Sequence, residues 1–234
     1  MARATRRRFL QHAGLGLAAV GTSDLVLRAD AQPTPAITNA ETTTRVVIQM
    51  NAMPKAPLAS RRDVRRPAPL PYGPFYRTGA PFRGKLCPPG EPGTTFVLSG
   101  RVWGFDTRRP LAGAVLDFWH VDMQEKYSSG DDDFRNRGRL VSSETGWYEL
   151  ESIRPIPYRP NPATSPGNWR CAHFHLLAVC PGYAPLVTEI HFRDDPHKQD
   201  PMYRVENAIA VEKRTTNGQP YEAGVFDIVL ERAK

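Results

Sequence analysis

The sequence predicts an all-β protein: an antiparallel β-sandwich preceded by an extended, Pro-rich N-terminal arm. Three observations point there. Proline occurs 23 times in 234 residues, about twice its ordinary usage, which suits strands joined by rigid turns and works against a helical bundle. From residue 94 onward, short runs rich in β-branched and aromatic residues recur between turn-forming residues. No segment carries a 3.6-residue apolar period through three turns. With 40% hydrophobic residues, the chain has material for one sizeable core.

Residues 1–31 read as an address rather than as structure. Arg6-Arg7-Arg8-Phe9-Leu10 is followed by a short, weakly apolar, Gly-containing run and then by Ala29-Asp30-Ala31. A basic region, an apolar region and a small-residue cut site stand in that order. They predict a twin-arginine signal, engagement of the twin-arginine export machinery, cleavage after Ala31 and a periplasmic or extracellular destination. No apolar stretch reaches the ~18 residues of a membrane span. The whole chain carries a net charge of +7. Without the five arginines and two aspartates of residues 1–31, 26 basic and 22 acidic residues remain, a net +4.

Residues 32–93 are rich in Pro, Arg and Gly, with one β-like run, Arg45-Val46-Val47-Ile48-Gln49. They read as an arm laid on the core. The cluster Arg61, Arg62, Arg65 and Arg66 lacks interleaved aromatics, so it reads as a solvated stretch and not as a nucleic-acid groove. Strands are predicted over 95–104, 113–121, 147–150, 170–179, 186–192, 207–211 and 225–230, with turns at Asp106-Thr107 and at 143–146. Cys87, Cys171 and Cys180 allow three disulfide pairings, and spacing does not choose among them.

The segment Arg170-Cys171-Ala172-His173-Phe174-His175 carries the chemistry. On a strand, side chains two apart share a face, so His173 and His175 point the same way, roughly 6–7 Å apart at Cα. Two neutral imidazoles on a rigid element can converge on one metal ion. The same spacing also suits ordinary hydrogen-bonded histidines. His191, in the next strand, is a further candidate for that face, whereas His120 and His197 read as structural or exposed. Spacing alone does not promote Tyr127 or Tyr158.

An ordered set of motifs does. Gly73-Pro74-Phe75-Tyr76, Ser99-Gly100-Arg101-Val102, the 110–119 run ending Asp117-Phe118-Trp119, Gly146-Trp147-Tyr148, Pro155-Ile156-Pro157-Tyr158 and Trp169-Arg170-Cys171-Ala172-His173-Phe174-His175 follow one another. Together, over roughly residues 70–230, they resemble the intradiol ring-cleavage dioxygenases, the family of protocatechuate 3,4-dioxygenase and catechol 1,2-dioxygenase. The resemblance implies a transthyretin-like sandwich and a non-haem Fe(III) site. By position, Tyr127, Tyr158, His173 and His175 match the metal ligands. The implied reaction is cleavage of a catechol-type ring with O₂ to a cis,cis-muconate-type diacid, with Tyr158 leaving the metal and taking up a proton. Arg170, Trp169 and Glu189 match the substrate's surroundings, Arg170 also as a catalytic group.

The chain also departs from the family's pattern. Glu189 stands where Gln is usual, and a carboxylate there repels a catecholate unless it is protonated or paired with Arg170. Glu125-Lys126-Tyr127 replaces a Gly-Arg-Tyr or Gly-Phe-Tyr ending. The helical amino-terminal dimerisation domain of the catechol and hydroxyquinol enzymes has no counterpart, so the layout resembles a protocatechuate-type subunit or the secreted single-domain members, and it leaves a homo-oligomer open. The competing reading is an exported sandwich module that binds an aromatic or a metal without ring cleavage. A third is a copper or zinc enzyme on the same ligands.

Overall fold

The computed structural model describes residues 65–130 and 133–234. The expected signal, its cleavage site, the run 45–49 and the first two arginines of the cluster lie outside the described residues. Among those described there is no α-helix. Ten strands run in chain order as β1 (Thr95–Gly104), β2 (Val115–Trp119), β3 (Arg137–Val141), β4 (Trp147–Ile153), β5 (His173–Val179), β6 (Leu186–Phe192), β7 (Ala208–Ile209), β8 (Glu212–Thr216), β9 (Gln219–Val225) and β10 (Ile228–Leu230). No helix among the described residues is long and apolar enough to cross a membrane.

The strands form two five-stranded sheets. In the first, β1 is central: β4 lies antiparallel along one side, from Thr95↔Ile153 to Arg101↔Trp147. Its other side is shared. β9 pairs with it parallel over Phe96–Ser99, and β10 takes over parallel at Val102–Gly104. The jog between them falls at Phe226 and Asp227, where the Phe226 amide donates to the Ser99 carbonyl (2.9 Å) and the Arg101 amide to Asp227 Oδ1 (3.0 Å). Gly100 makes that jog possible, since a Cβ there would lie 1.9 Å from the Phe226 carbonyl oxygen. The second sheet has the order β3-β2-β5-β6-β7, antiparallel except for β6 with β7. The two-sheet, all-β expectation holds, but the sheets are mixed: three pairings are parallel.

Period-2 alternation fills the space between the sheets. Phe96, Leu98 and Val102 of β1 and Leu150 of β4 meet Leu116 and Phe118 of β2, Phe174 and Leu176 of β5, and Ile190 and Phe192 of β6, all buried. Phe96 packs against Phe174 at 5.8 Å and edge-on to Phe192 at 5.4 Å. Each such side chain contributes about 1.5–3 kcal/mol by leaving water. His120 belongs with this structure rather than with any site. Its Nε2 lies 2.7 Å from Ser152 Oγ and its Nδ1 2.7 Å from the Val121 carbonyl, and burial pushes its pKa down to about 3.

Residues 81–87 close the side where β3, the edge of one sheet, faces β4, the edge of the other. Arg83 and Arg139 exchange backbone bonds with this segment through Arg83 N→Arg139 O (3.0 Å) and Arg139 N→Pro81 O (2.9 Å). Leu86 N donates to Glu151 O (2.9 Å), and Glu151 N donates back to Gly84 O (2.7 Å). The segment thus satisfies polar groups on both edges while Leu86 is fully buried in the core.

Candidate metal centre

The second sheet has two unlike faces. One is the core. On the other, the register sets His173 beside His191, His175 beside both Glu189 and Trp119, and Asp117 beside Arg139. His173 and His175 of β5 and Glu189 and His191 of β6 thus lie on the face opposite Phe174, Leu176, Ile190 and Phe192, which fill the core. His173 and His175 are each 2% exposed. The His175 ring lies on Trp119 at 4.8 Å with 5° between planes. Gly73, at φ +70°, brings its backbone close to the same ring, so that an added Cβ would lie 3.4 Å from His175 Cε1.

The tyrosines arrive from two connections. Tyr127 lies between β2 and β3, just past a turn in which Asp122 Oδ1 accepts from the amides of Gln124 (2.8 Å) and Lys126 (2.9 Å). Its ring is stacked by Phe75 at 4.4 Å. Tyr158 lies between β4 and β5, where its amide and carbonyl bond those of Arg170 at 3.2 and 2.8 Å. Tyr127 Oη stands 3.0 Å from His175 Nε2 and 3.4 Å from His173 Nε2, and the two Nε2 atoms are 3.1 Å apart. The Tyr158 ring meets Tyr127 edge to face at 5.7 Å and His173 at 5.8 Å.

These spacings fit one ion. Donors held about 2.0–2.2 Å from a common centre lie roughly 3.0–3.4 Å from one another. The proton inventory agrees. His173 Nδ1 is 2.7 Å from the Cys171 carbonyl, so Nδ1 carries the hydrogen and Nε2 presents its lone pair. Burial pushes the pKa of both His173 and His175 down, which keeps the imidazoles neutral, the ligating form. Burial pushes the two phenols up, Tyr127 strongly. Without a cation between them they stay protonated, and only a strongly Lewis-acidic ion makes both of them anionic donors at neutral pH.

Behind the donors lies an ionic network. Glu189 takes a bidentate contact from Arg170 Nη2 at 2.7 and 2.8 Å and a third from His191 Nε2 at 3.1 Å. Burial alone would raise its pKa. The hydrogen bond from His191 and the Arg170 guanidinium overcome burial and hold the carboxyl well below the usual range. Of the two routes the sequence left open, Glu189 takes the second: it is ionised and paired with Arg170. Glu189, His173 and His175 also bring three potential ligand atoms within 4.8 Å of one another. Arg170 Nε donates to Asp200 Oδ2 (2.9 Å), which also accepts from the Cys171 amide (2.9 Å). Asp195 Oδ2 accepts from the Ala172 amide (2.7 Å). Asp200 and Asp195 thus anchor the entry to β5. Sequence reasoning missed both, because they lie 29 and 23 residues beyond their partners with no motif between. The Trp169 ring stacks on His197 at 4.7 Å. Cys87, Cys171 and Cys180 are all free and buried.

A family model described as "Dioxygenase" matches residues 73–232. The chain is 32% identical over 182 residues to chlorocatechol 1,2-dioxygenase of Rhodococcus opacus, covering 68% of this chain and 70% of that one. The chain belongs to the intradiol ring-cleavage dioxygenase family. Within this dioxygenase family, 6-chlorohydroxyquinol 1,2-dioxygenase of Cupriavidus pinatubonensis is 34% identical over 179 residues, covering 69% of this chain and 63% of its own. Among solved structures, the dioxygenase domain of a dioxygenase–carbohydrate-binding protein fusion from Streptomyces sp. SirexAA-E superposes with a TM-score of 0.60 at 28% identity. That match covers 72% of this chain and all of that one. Dependence on non-haem iron is a property of the family, and the two imidazoles and two phenols described above suit that metal.

Proposed function

We propose that this intradiol dioxygenase opens a catechol-type ring between its two hydroxylated carbons, giving a cis,cis-muconate-type diacid. In that reaction the C–C bond and the O=O bond break, two C–O bonds form, and both oxygen atoms end in the product's carboxyl groups. The observation that carries the reading is the meeting of Tyr127 Oη, His173 Nε2 and His175 Nε2 within 3.4 Å, with Tyr158 against two of them.

Tyr127, Tyr158, His173 and His175 are the residues that would hold Fe(III). The ion, when bound, supplies Lewis acidity toward the two catechol oxygens and draws electron density from the ring. The remaining work belongs to the chain. The Cys171 carbonyl fixes the His173 tautomer. Tyr158, a phenolate while it would hold the metal, would take up a catechol proton on leaving it, the protonated form being the one burial favours. Arg170, held by Glu189 and Asp200, presents a fixed guanidinium whose charge those two carboxylates more than offset. That balance favours uncharged catechols over ring-carboxylated ones. Phe75 and Tyr76 cover Tyr127 and Trp119 and limit water.

An oxygen electrode tests this. Iron-loaded protein should consume one O₂ per catechol, absorb in the visible through phenolate-to-iron charge transfer, and turn over catechol faster than protocatechuate. Tight catechol binding without O₂ uptake would instead establish a binding module. We also read residues 1–31 as a twin-arginine export signal, on the motif Arg6-Arg7-Arg8-Phe9-Leu10. An R6K/R7K variant should leave the precursor in the cytoplasm, and unchanged export would refute the assignment.

A further inference from the structure

Glu125 has a backbone that side chains rarely adopt, φ +61°. Left-handed backbone is strained for a residue with a Cβ, so something must hold it. Part of the hold is local: its amide donates to the Asp122 carbonyl at 3.2 Å, and the Asp122 amide donates to Lys126 O at 2.8 Å. The rest is distant. The Glu125 carboxylate accepts from the Arg159 amide (3.0 Å), Nε (3.2 Å) and Nη2 (2.9 Å). Three bonds in fork geometry leave the pair little freedom.

The two partners occupy a telling place. Glu125 lies two residues before Tyr127, and Arg159 lies one residue after Tyr158. They join the two connections that deliver the phenols, which share no strand. Arg159 also spreads over the Trp169 ring at 4.8 Å. Trp169 precedes Arg170, the backbone partner of Tyr158. One guanidinium thus ties together the Tyr127 turn, the Tyr158 segment and the entry to β5. The side chains of Arg159 and Glu125 are 34% and 25% exposed. An ion pair so open to water adds little to global stability, which leaves local geometry as what it governs.

We propose that Glu125 and Arg159 form a positioning clamp that sets the spacing of the Tyr127 and Tyr158 phenol oxygens, and so how tightly the site holds its metal. The inference rests on those two tyrosines being a ligand pair. Glu125→Gly is the discriminating variant, because it removes the carboxylate and also relieves the backbone strain. Arg159→Met removes the other half, and Arg159→Lys keeps the charge but not the fork. Iron-loaded proteins are compared for the rate of iron release to a chelator, the position of the visible charge-transfer band, and Tm.

E125G and R159M should each release iron about tenfold faster with a displaced band, while the Tm of E125G stays at or above wild type. The double variant should be no worse than either single variant, since one contact is lost only once. R159K should fall between. Unchanged release and band in E125G and R159M, with a coloured wild type, would overturn the clamp and leave the ligand assignment standing. So would fully additive losses. A wild type that takes up iron without any charge-transfer band would remove the ligand assignment and the clamp with it.

Discussion

The two faces of strand β5 were built by the same alternation and do opposite things. Phe174 and Leu176 point inward and are wholly buried among apolar side chains. His173 and His175, their immediate neighbours, are just as buried but lie among Trp119, Glu189, His191 and the tyrosines. Burial therefore does not separate a core from a site here; the partners do. Covering the outer face with residues 72–76 and two loops gives imidazoles the dry surroundings that keep them neutral.

Four measurements would break or sharpen that contrast. His175→Ala removes a donor from the outer face. Iron content and O₂ uptake should fall at least about 100-fold, beyond what losing a supporting contact costs, while the far-ultraviolet circular dichroism of the fold persists. Phe174→Ala, one residue away, should do the reverse. Denaturant unfolding should show a loss of about 3–5 kcal/mol, with the charge-transfer band unchanged in the protein that remains folded. A band lost in step with the core would show that the two faces are not separable.

The third measurement concerns Asp117, an outer-face carboxyl whose pKa burial raises to about 6, against the opposing pull of Arg139 and the Tyr76 hydrogen bond. The folded state binds this proton more tightly than the unfolded chain. The associated stability is complete below the ordinary carboxyl pKa near 4 and is lost as pH rises through about 6. Urea melts of wild type and Asp117→Asn should therefore diverge across pH 4–6, the variant gaining about 2–3 kcal/mol on wild type above that window. A constant gap would mean that the carboxyl is not buried as described. The smallest effect belongs to Val141→Thr, on the same face but 53% exposed at the end of β3. It should change stability by less than about 0.5 kcal/mol and leave turnover alone, which would confine the outer face's importance to its dry centre.

Much of this was legible in the sequence, unevenly. β1 and β6 begin and end where their β-rich runs do. Strand β3 was hidden because Arg137-Gly138-Arg139 does not look apolar, yet Arg137 is buried, donating to Ser128 Oγ at 2.9 Å. β8 reads Glu-Lys-Arg-Thr-Thr, a polar edge strand, and β9 contains Pro220, which demotes a run on local grounds. The parallel partners of β1 were out of reach because pairing across more than a hundred residues leaves no local trace. At the site, the His-x-His pair was visible from spacing. Tyr127 and Tyr158 emerged only from the ordered motifs, since a tyrosine in a loop carries no periodicity. The link between Glu125 and Arg159 joins residues 34 apart, and nothing in either loop announces it.

The way β1 is flanked sets an order of events during synthesis. The sheet bearing the histidines has all five strands once residue 209 has left the ribosome. The other sheet cannot be finished then, because one whole side of β1 waits for residues 219–230. Until they emerge, a long apolar strand has an open flank, and the nascent chain depends on whatever shields it. Completion of that sheet thus comes after that of the first, in a step in which distant stretches of chain must find each other slowly.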